Sequence, residues 1–374
     1  MERLAHDPRS QKRFRYCKRL LLAGLSVASL FLASAGHAIA QAARQQAEGA
    51  QQTAPYLEPQ RLIPIGKGRN INLVCLGKGS PTVVFTAGLG GWSQVWYLVQ
   101  GEVAHKTRAC AWDPAGLGFS SASPEPQDAV HETEDLTATL NAAHIDGPFL
   151  MVAHSAGAFV GILFADQRPN DVAGMVLLDP SIPDQAAIRQ RIAPKSESSG
   201  NAGPAVEAKR LEDCAARLKN GTLKPNTADF DECIAQPLPP EFSGLSKRLA
   251  RLNADPARLL TQASALVNVN SASPREAINP HRSFGNMPMI VLTAGQHPFP
   301  PDMPADLRHQ IDQFFQVLAS GHKAYAALSS RGRQELVEDA AHFIQFDDPR
   351  AVLAAIDDVL TAIRKEPVPH AGAH

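Results

Sequence analysis

The chain has 374 residues, 44% of them hydrophobic and 20% charged, with a formal net charge of −1. That length and apolar content are enough for a large buried core. A balance this close to neutral, with no basic stripe, offers no electrostatic footprint to a nucleic acid or an anionic membrane surface.

The first forty residues differ in kind from the rest. Arg3, Arg9, Lys12, Arg13, Arg15, Lys18 and Arg19 precede an uncharged apolar run from Leu20 to about Ala35. Ala38-Ile39-Ala40 then supplies a small-x-small cleavage pattern, which makes Gln41 the new N-terminus. This layout predicts a signal peptide over residues 1–40 and an exported chain, periplasmic or extracellular. The alternative is an uncleaved anchor, but the apolar run falls short of the ~20 residues a membrane span needs. Lys12-Arg13-Phe14 lacks the arginine pair of a twin-arginine signal, so the general export route is expected. Cleavage removes Cys17 and leaves 29 basic against 35 acidic residues, a net charge of −6. No stable membrane partner is expected after it.

Four cysteines remain, and an even number in an oxidising compartment invites disulfides. Cys75 and Cys110 each sit in a predicted strand of one sheet region, and Cys214 and Cys233 are close together in a later insertion. The expected pairs are Cys75–Cys110 and Cys214–Cys233, with four buried free thiols as the alternative. The spacings do not match a zinc site, and no other metal is implied.

Residues 41–60 are Gln/Ala-rich and aperiodic at their start, which predicts a flexible lead-in. Short strands follow as RLIPIG and, after the turn-like GKGRN, INLVCLG. PTVVFTAG (81–88) is β-branched and apolar, the composition of a central strand. A helix is expected over 94–105, a strand over TRACAWD (107–113), and an amphipathic helix from Gln127 to about His144. PFLMVA (148–153) is an unbroken apolar run, hence a strand buried on both faces, and Ala156 to Phe164 has helical spacing. AGMVLLD (173–179) is another strand. From 181 to 286 the alternation stops, and the chain reads as an inserted, mainly helical cap. MPMIVLTAG (287–295) resumes it, followed by helix from Ala305 to Leu328, a weak strand RQELVED, and a last helix from Pro349 to Arg364. Residues 61–180 and 287–365 thus form one core, and 366–374 a polar tail containing His370 and His374. Apolar strands alternating with amphipathic helices imply an α/β fold with a mostly parallel sheet covered on both faces.

In such sheets ligands bind at the carboxyl ends of the strands. Four features fall on that rim: Ser155, Asp179, the loop AGLGG and His342. A serine on a sharp strand-to-helix turn cannot pack inward, so its Oγ is pushed out, and the Ala156 N–H points at whatever it attacks. That turn needs small residues two before and two after the serine. Gly157 fits, and Ala153 stands where glycine is usual.

A-H-S-A-G at the turn, F-T-A-G-L-G-G after the third strand, D-P-A-G-L-G-F-S at 113–120 and A-H-F-I-Q near the C-terminus together resemble the α/β-hydrolases. The likeness covers roughly 61–180 and 287–365. It implies Ser155 as nucleophile, His342 as general base, and the N–H groups of Leu89 and Ala156 as an oxyanion hole, with the 113–120 loop shaping the rim. The chemistry agrees: a serine hydroxyl attacks only when a base within hydrogen-bond reach takes its proton, and histidine exchanges protons near neutral pH.

The acid departs from the family pattern. Most relatives carry Gly-x-x-Asp after the strand that here is MPMIVLTAG, but this chain reads Gly295-Gln296-His297-Pro298. Asp179, ending the preceding strand, is the first choice, and Asp302, in the proline-stiffened loop, the second. His154 reads as structural, His297 as an exposed loop residue, and Trp92 as either pocket wall or packing.

The expectation is therefore a secreted serine hydrolase, most simply of carboxylic esters through an acyl-enzyme, with no cofactor implied and a small-molecule ester or amide as its partner. An aspartate nucleophile would have pointed to a dehalogenase or epoxide hydrolase. The rivals are an amidase or aminopeptidase with the same triad, and a non-catalytic binding protein on the same fold.

Overall fold

A computed structural model describes residues 49–194, 203–235 and 238–365. The expected signal peptide, the lead-in before 49 and the tail 366–374 lie outside the described residues. Residues 49–52 are helical and belong to a separate N-terminal unit, and the described residues from Thr53 onward form one compact unit.

The strands are β1 Leu62–Pro64, β2 Asn70–Leu76, β3 Thr82–Thr86, β4 Ala109–Trp112, β5 Phe149–His154, β6 Val172–Leu178, β7 Met289–Ala294 and β8 Gly332–Val337. They join in one sheet of order β1-β2-β4-β3-β5-β6-β7-β8. The pairs β1–β2 and β2–β4 are antiparallel, and the other five are parallel. The α/β class with a mostly parallel sheet is therefore the observed one. Strand geometry sends successive side chains to opposite faces. In β5, Phe149, Met151 and Ala153 enter the core under the helices Ala129–Ala142 and Gly157–Gln167, while Leu150 and Val152 enter the opposite core with the helix Pro349–Lys365. Burial on both faces is why these strands carry no polar alternation.

Local differences from the sequence reading have local causes. The helix expected over 94–105 is two pieces, a 3₁₀ turn Ser93–Trp96 and a helix Gln100–Ala104. The lead-in does not stay loose to residue 60, because Tyr56 is buried and its hydroxyl donates to Gln100 Oε1 at 2.8 Å. Gln100 Nε2 in turn donates to the carbonyls of Val74 and Ala109, at 2.7 and 2.9 Å. A buried tyrosine needs such a partner, and an aperiodic sequence gives no sign of one.

Among the described residues the cap is built of helices, including Gln185–Ile192, Pro204–Lys219, Ser246–Asn253, Pro256–Asn268 and Ala272–Glu276. Its own small core gathers Leu211, Ala215, Leu223, Ile234 and Leu259 around the Cys214–Cys233 disulfide. The other disulfide joins Cys75 to Cys110, which face each other across the antiparallel β2–β4 ladder. Both expected pairs are formed.

A buried cation helps fasten the cap to the core. Arg258 donates through Nη2 to Gly118 O at 2.9 Å and through Nη1 to Ser120 O. Beside it, Gln262 Nε2 donates to Gly116 O at 2.8 Å. Burial pushes the Arg258 guanidinium down to about 10, opposed by the charges of Asp113 and Asp255, so it stays cationic at neutral pH. Asp113 is buried below, accepting from Asn72 Nδ2 at 2.9 Å, Ser93 N at 3.1 Å and Phe119 N at 2.9 Å. The 113–120 loop is thus a hub on which cap and core meet.

Replacing Arg258 by Met keeps its volume but strands two carbonyls, which should cost about 2–4 kcal/mol of unfolding free energy in a urea titration. In the chain from residue 41 onward, alkylation before reduction should add no mass, and alkylation after reduction should label the four cysteines of the two disulfides.

Candidate active site

Ser155 follows β5 directly, in a left-handed conformation with φ +52°, where a non-glycine residue is strained. Two glycines make this turn possible. A side chain on Gly157 would place its Cβ 2.3 Å from Ala87 O, and one on Gly88 would place it 2.8 Å from Ser155 Cβ. The methyl of Ala153, unusual at this turn, is tolerated because Gly161 stands across from it: a Cβ there would lie 3.3 Å from that of Ala153.

The four sequence-predicted features meet at the carboxyl edge of the sheet. His342 Nε2 lies 3.0 Å from Ser155 Oγ, and its Nδ1 lies 2.7 Å from Asp179 Oδ2. A carboxylate only accepts, so Nδ1 carries the proton and Nε2 is left to accept from the serine hydroxyl. Asp179 ends β6, has φ +40°, and takes a second bond on Oδ1 from Ala294 N at 3.1 Å. Burial alone would raise its carboxyl, but the bond to His342, the charges of His342 and His322, and the Ala294 N–H outweigh it and hold the group below the usual range. Asp302, the second choice, is exposed in its loop, and the Nδ1 position it would need is occupied by Asp179. The backbone N–H groups of Leu89 and Ala156 donate to nothing among the described residues, and both residues line the cavities beside the serine. Trp92 packs with Leu117 and Phe242 and lines neither of the two cavities beside the serine.

Three contributors escaped the sequence reading. His154 does point into the fold, and there its Nε2–H donates to the carbonyl of His342 at 2.8 Å, with the two rings 4.7 Å apart. It thereby pins the loop that carries His342. Burial first, and then the charge of His342, push its imidazole down to about 3. His322 is buried behind Asp179, donating from Nε2 to Pro180 O at 2.8 Å while Nδ1 accepts from Thr293 Oγ1 at 3.0 Å. Its signal was legible: a histidine on the apolar stripe of Leu318 and Tyr325, at helical spacing. Glu132 lines the cavity beyond Leu89; burial first, then the charges of Asp135, Asp128 and Glu276, push its carboxyl up to about 8. Nothing in sequence marks it, because its neighbours are assembled by tertiary contact. His297, expected to be exposed, is half-buried and stacked face to face on Phe315 at 3.4 Å.

Two cavities of about 210 and 270 Å³ flank the serine and share Leu89, Ala156, Phe159 and Val269 as a divide. A hydroxyl held against an imidazole, two unspent N–H donors and room on either side can accommodate a carbonyl group and the two halves joined by it.

Residues 83–356 match the sequence profile of the Alpha/beta hydrolase family. The chain belongs to that family. The "Uncharacterized protein YqjL" of Bacillus subtilis (strain 168) is 24% identical over 293 residues, covering 78% of this chain and 88% of that one. The "Putative carbamate hydrolase RutD" of Klebsiella pneumoniae (strain 342) is 34% identical over 103 residues, 27% of this chain and 38% of the relative. Among solved structures, a thermophilic esterase from Thermogutta terrifontis superposes with a TM-score of 0.51 at 17% identity, covering 82% of this chain and 99% of that one. At that identity the likeness speaks for the shared hydrolase fold alone.

His154 also makes a checkable contribution to stability. The unfolded imidazole binds a proton near pH 6.5, whereas the folded one resists until about 3, so the group favours the folded state above that window and loses its contribution as pH falls through it. The unfolding free energy of the native chain should therefore fall more steeply with acid than that of His154→Asn, by up to roughly 1.4 kcal/mol per pH unit between pH 4 and 6.

Proposed function

We propose that this α/β-hydrolase is a serine hydrolase that cleaves carboxylic esters through an acyl-enzyme. The observation that carries the reading is the unbroken line of hydrogen bonds from Ser155 Oγ through His342 to Asp179, 3.0 and 2.7 Å long. In the proposed reaction Oγ attacks the carbonyl carbon as its proton passes to His342 Nε2. Asp179 stabilises the imidazolium and keeps the ring in the tautomer that accepts. The N–H groups of Leu89 and Ala156 receive the charge that develops on the carbonyl oxygen. Collapse returns the proton from His342 to the departing alcohol and leaves the acyl group on Ser155. Water then enters, gives its proton to His342, and releases the acid by the same steps in reverse order. Serine at the turn supports ester chemistry over the carboxylate-nucleophile chemistry of dehalogenases and epoxide hydrolases.

The proposal extends to location. The basic, apolar and small-residue layout of residues 1–40 and the two disulfides both support export, since such bonds persist outside the reducing cytosol.

A second reading, hydrolysis of amides or carbamates by the same residues, is favoured by the segment shared with the Klebsiella protein. Its test is a direct comparison of p-nitrophenyl esters with matched p-nitroanilides and aryl carbamates, and a higher kcat/KM on the nitrogen compounds would displace the ester assignment.

A fluorophosphonate probe should label Ser155 and leave Ser155→Ala unlabelled; a native chain that resists the probe would point to a non-catalytic binding protein. Asp179→Asn should lower kcat by on the order of 10³–10⁴-fold, because the histidine loses its tautomer, while Asp302→Asn keeps the native kcat. A native rate in Asp179→Asn removes that residue from the triad.

A further inference from the structure

The two cavities beside Ser155 are chemically unlike. The one reached past Gly88 and Gly90 has an apolar wall of Leu211, Leu259 and Leu266; its Glu207 and Arg210 neutralise each other as an ion pair, and its Glu132 carboxyl, pushed up to about 8, is mostly uncharged at neutral pH. The other contains Ser155 itself and is walled by polar groups, among them Arg189, Arg275, Asn270 and Ser271.

Two arginines line this second cavity. Some guanidinium groups of the cap rest on carboxylates, Arg210 on Glu207 at 2.6 Å and Arg282 on Asp166 at 2.6 Å. Arg189 and Arg275 have no such ion pair among the described residues. Arg189, on the helix Gln185–Ile192, is half-buried, and its Nε is closed off from solvent with no hydrogen-bond partner in the chain. Arg275 stands exposed, on the short helix Ala272–Glu276 that also lines this cavity. Asp184 is the acidic residue of this lining, and it lies within ion-pair distance of neither. Native folds leave few shielded polar atoms unpartnered, and an unpaired guanidinium in a partly closed cavity sacrifices hydration without return. A planar anion in the cavity would partner the Nη groups, since guanidinium binds carboxylate through two parallel hydrogen bonds.

We propose that this cavity is a carboxylate-recognition site, and that the substrates are monoanionic esters, with the carboxylate against Arg189 and Arg275 and an apolar group in the cavity walled by Leu211, Leu259 and Leu266. The inference rests on the hydrolase reading above and narrows it to a substrate class. Charge selection, not chain length, is then the principal specificity of the site, and it weakens as salt screens the exposed Arg275.

Two matched pairs of esters test the proposal. p-Nitrophenyl hemiglutarate against p-nitrophenyl valerate places the charge on the acyl half, and 4-(butyryloxy)benzoate against phenyl butyrate places it on the alcohol half. At least one anionic ester should exceed its neutral twin by roughly tenfold in kcat/KM, and that ratio should collapse by a similar factor in the Arg189→Gln/Arg275→Gln chain. Arg189→Lys, which keeps the charge but not the fork, should retain part of the preference and report on variants that fold poorly. Neutral twins equal or superior in both pairs, or a double variant that loses both members of a pair alike, would overturn the assignment. A binding arm separates this outcome from failure of the hydrolase reading. Monomethyl glutarate titrated into Ser155→Ala should bind at least roughly fivefold more tightly than into the same chain carrying Arg189→Gln. Equal affinities refute the carboxylate site whether or not the fluorophosphonate probe labels Ser155.

Discussion

An imidazole held between a hydroxyl and a buried carboxylate ties three strand ends of this molecule together. Ser155 closes β5, Asp179 closes β6, and His342 arrives on the loop after β8. None of the three is placed by its own segment alone. The strain at Ser155 and Asp179, both at positive φ, persists because the parallel ladder holds β5, β6 and β7 in register up to those residues. Ser155 N still bonds to Leu178 O and Asp179 N to Leu292 O, so the sheet's hydrogen bonding reaches into the site itself. A backbone so over-determined can carry local strain that an isolated turn would release.

Around that line the fold adds restraints of a second kind. His154 holds the carbonyl of His342, and His322 stands behind Asp179 with both ring nitrogens engaged. The result is a base whose ring is fixed from three sides while its Nε2 faces the serine. Only the carboxylate end of the line is deeply buried, since the His342 side chain keeps 48% of its exposure and the Asp179 side chain 10%. That gradient suits the proposed chemistry, in which charge is stored on the protected side and exchanged with substrate and water on the open one.

The cap completes the site by closing two unlike spaces over one serine. Its attachment is polar and specific: Arg258 and Gln262 bind carbonyls of the 113–120 loop, and Arg282 binds Asp166. The same loop is organised by buried Asp113, so the identity of the rim and the seating of the cap depend on one cluster of hydrogen bonds. Arg189 and Arg275, without an ion pair among the described residues, stand apart from that cluster, which is what the proposed carboxylate site draws on.

Much of this was written in the linear order of residues. Unbroken apolar runs such as FLMVA declared buried strands, and the small residues around Ser155 declared the turn, because both are local consequences of side-chain size and period. The cysteine pairs followed from strand neighbourhood and proximity. The sequence put Asp179 ahead of Asp302 as the acid but could not show either against His342, since that depends on where β6 and β7 leave them. Tertiary structure alone brought Asp179 and not Asp302 to His342, turned His154 and His322 into supports, raised the Glu132 carboxyl, and set Arg189 in the cavity that Ser155 lines. The division has a physical reason: hydrophobic period and turn chemistry act over a few residues, whereas hydrogen bonds between strand ends and the electrostatics of a cavity exist only once distant segments are packed.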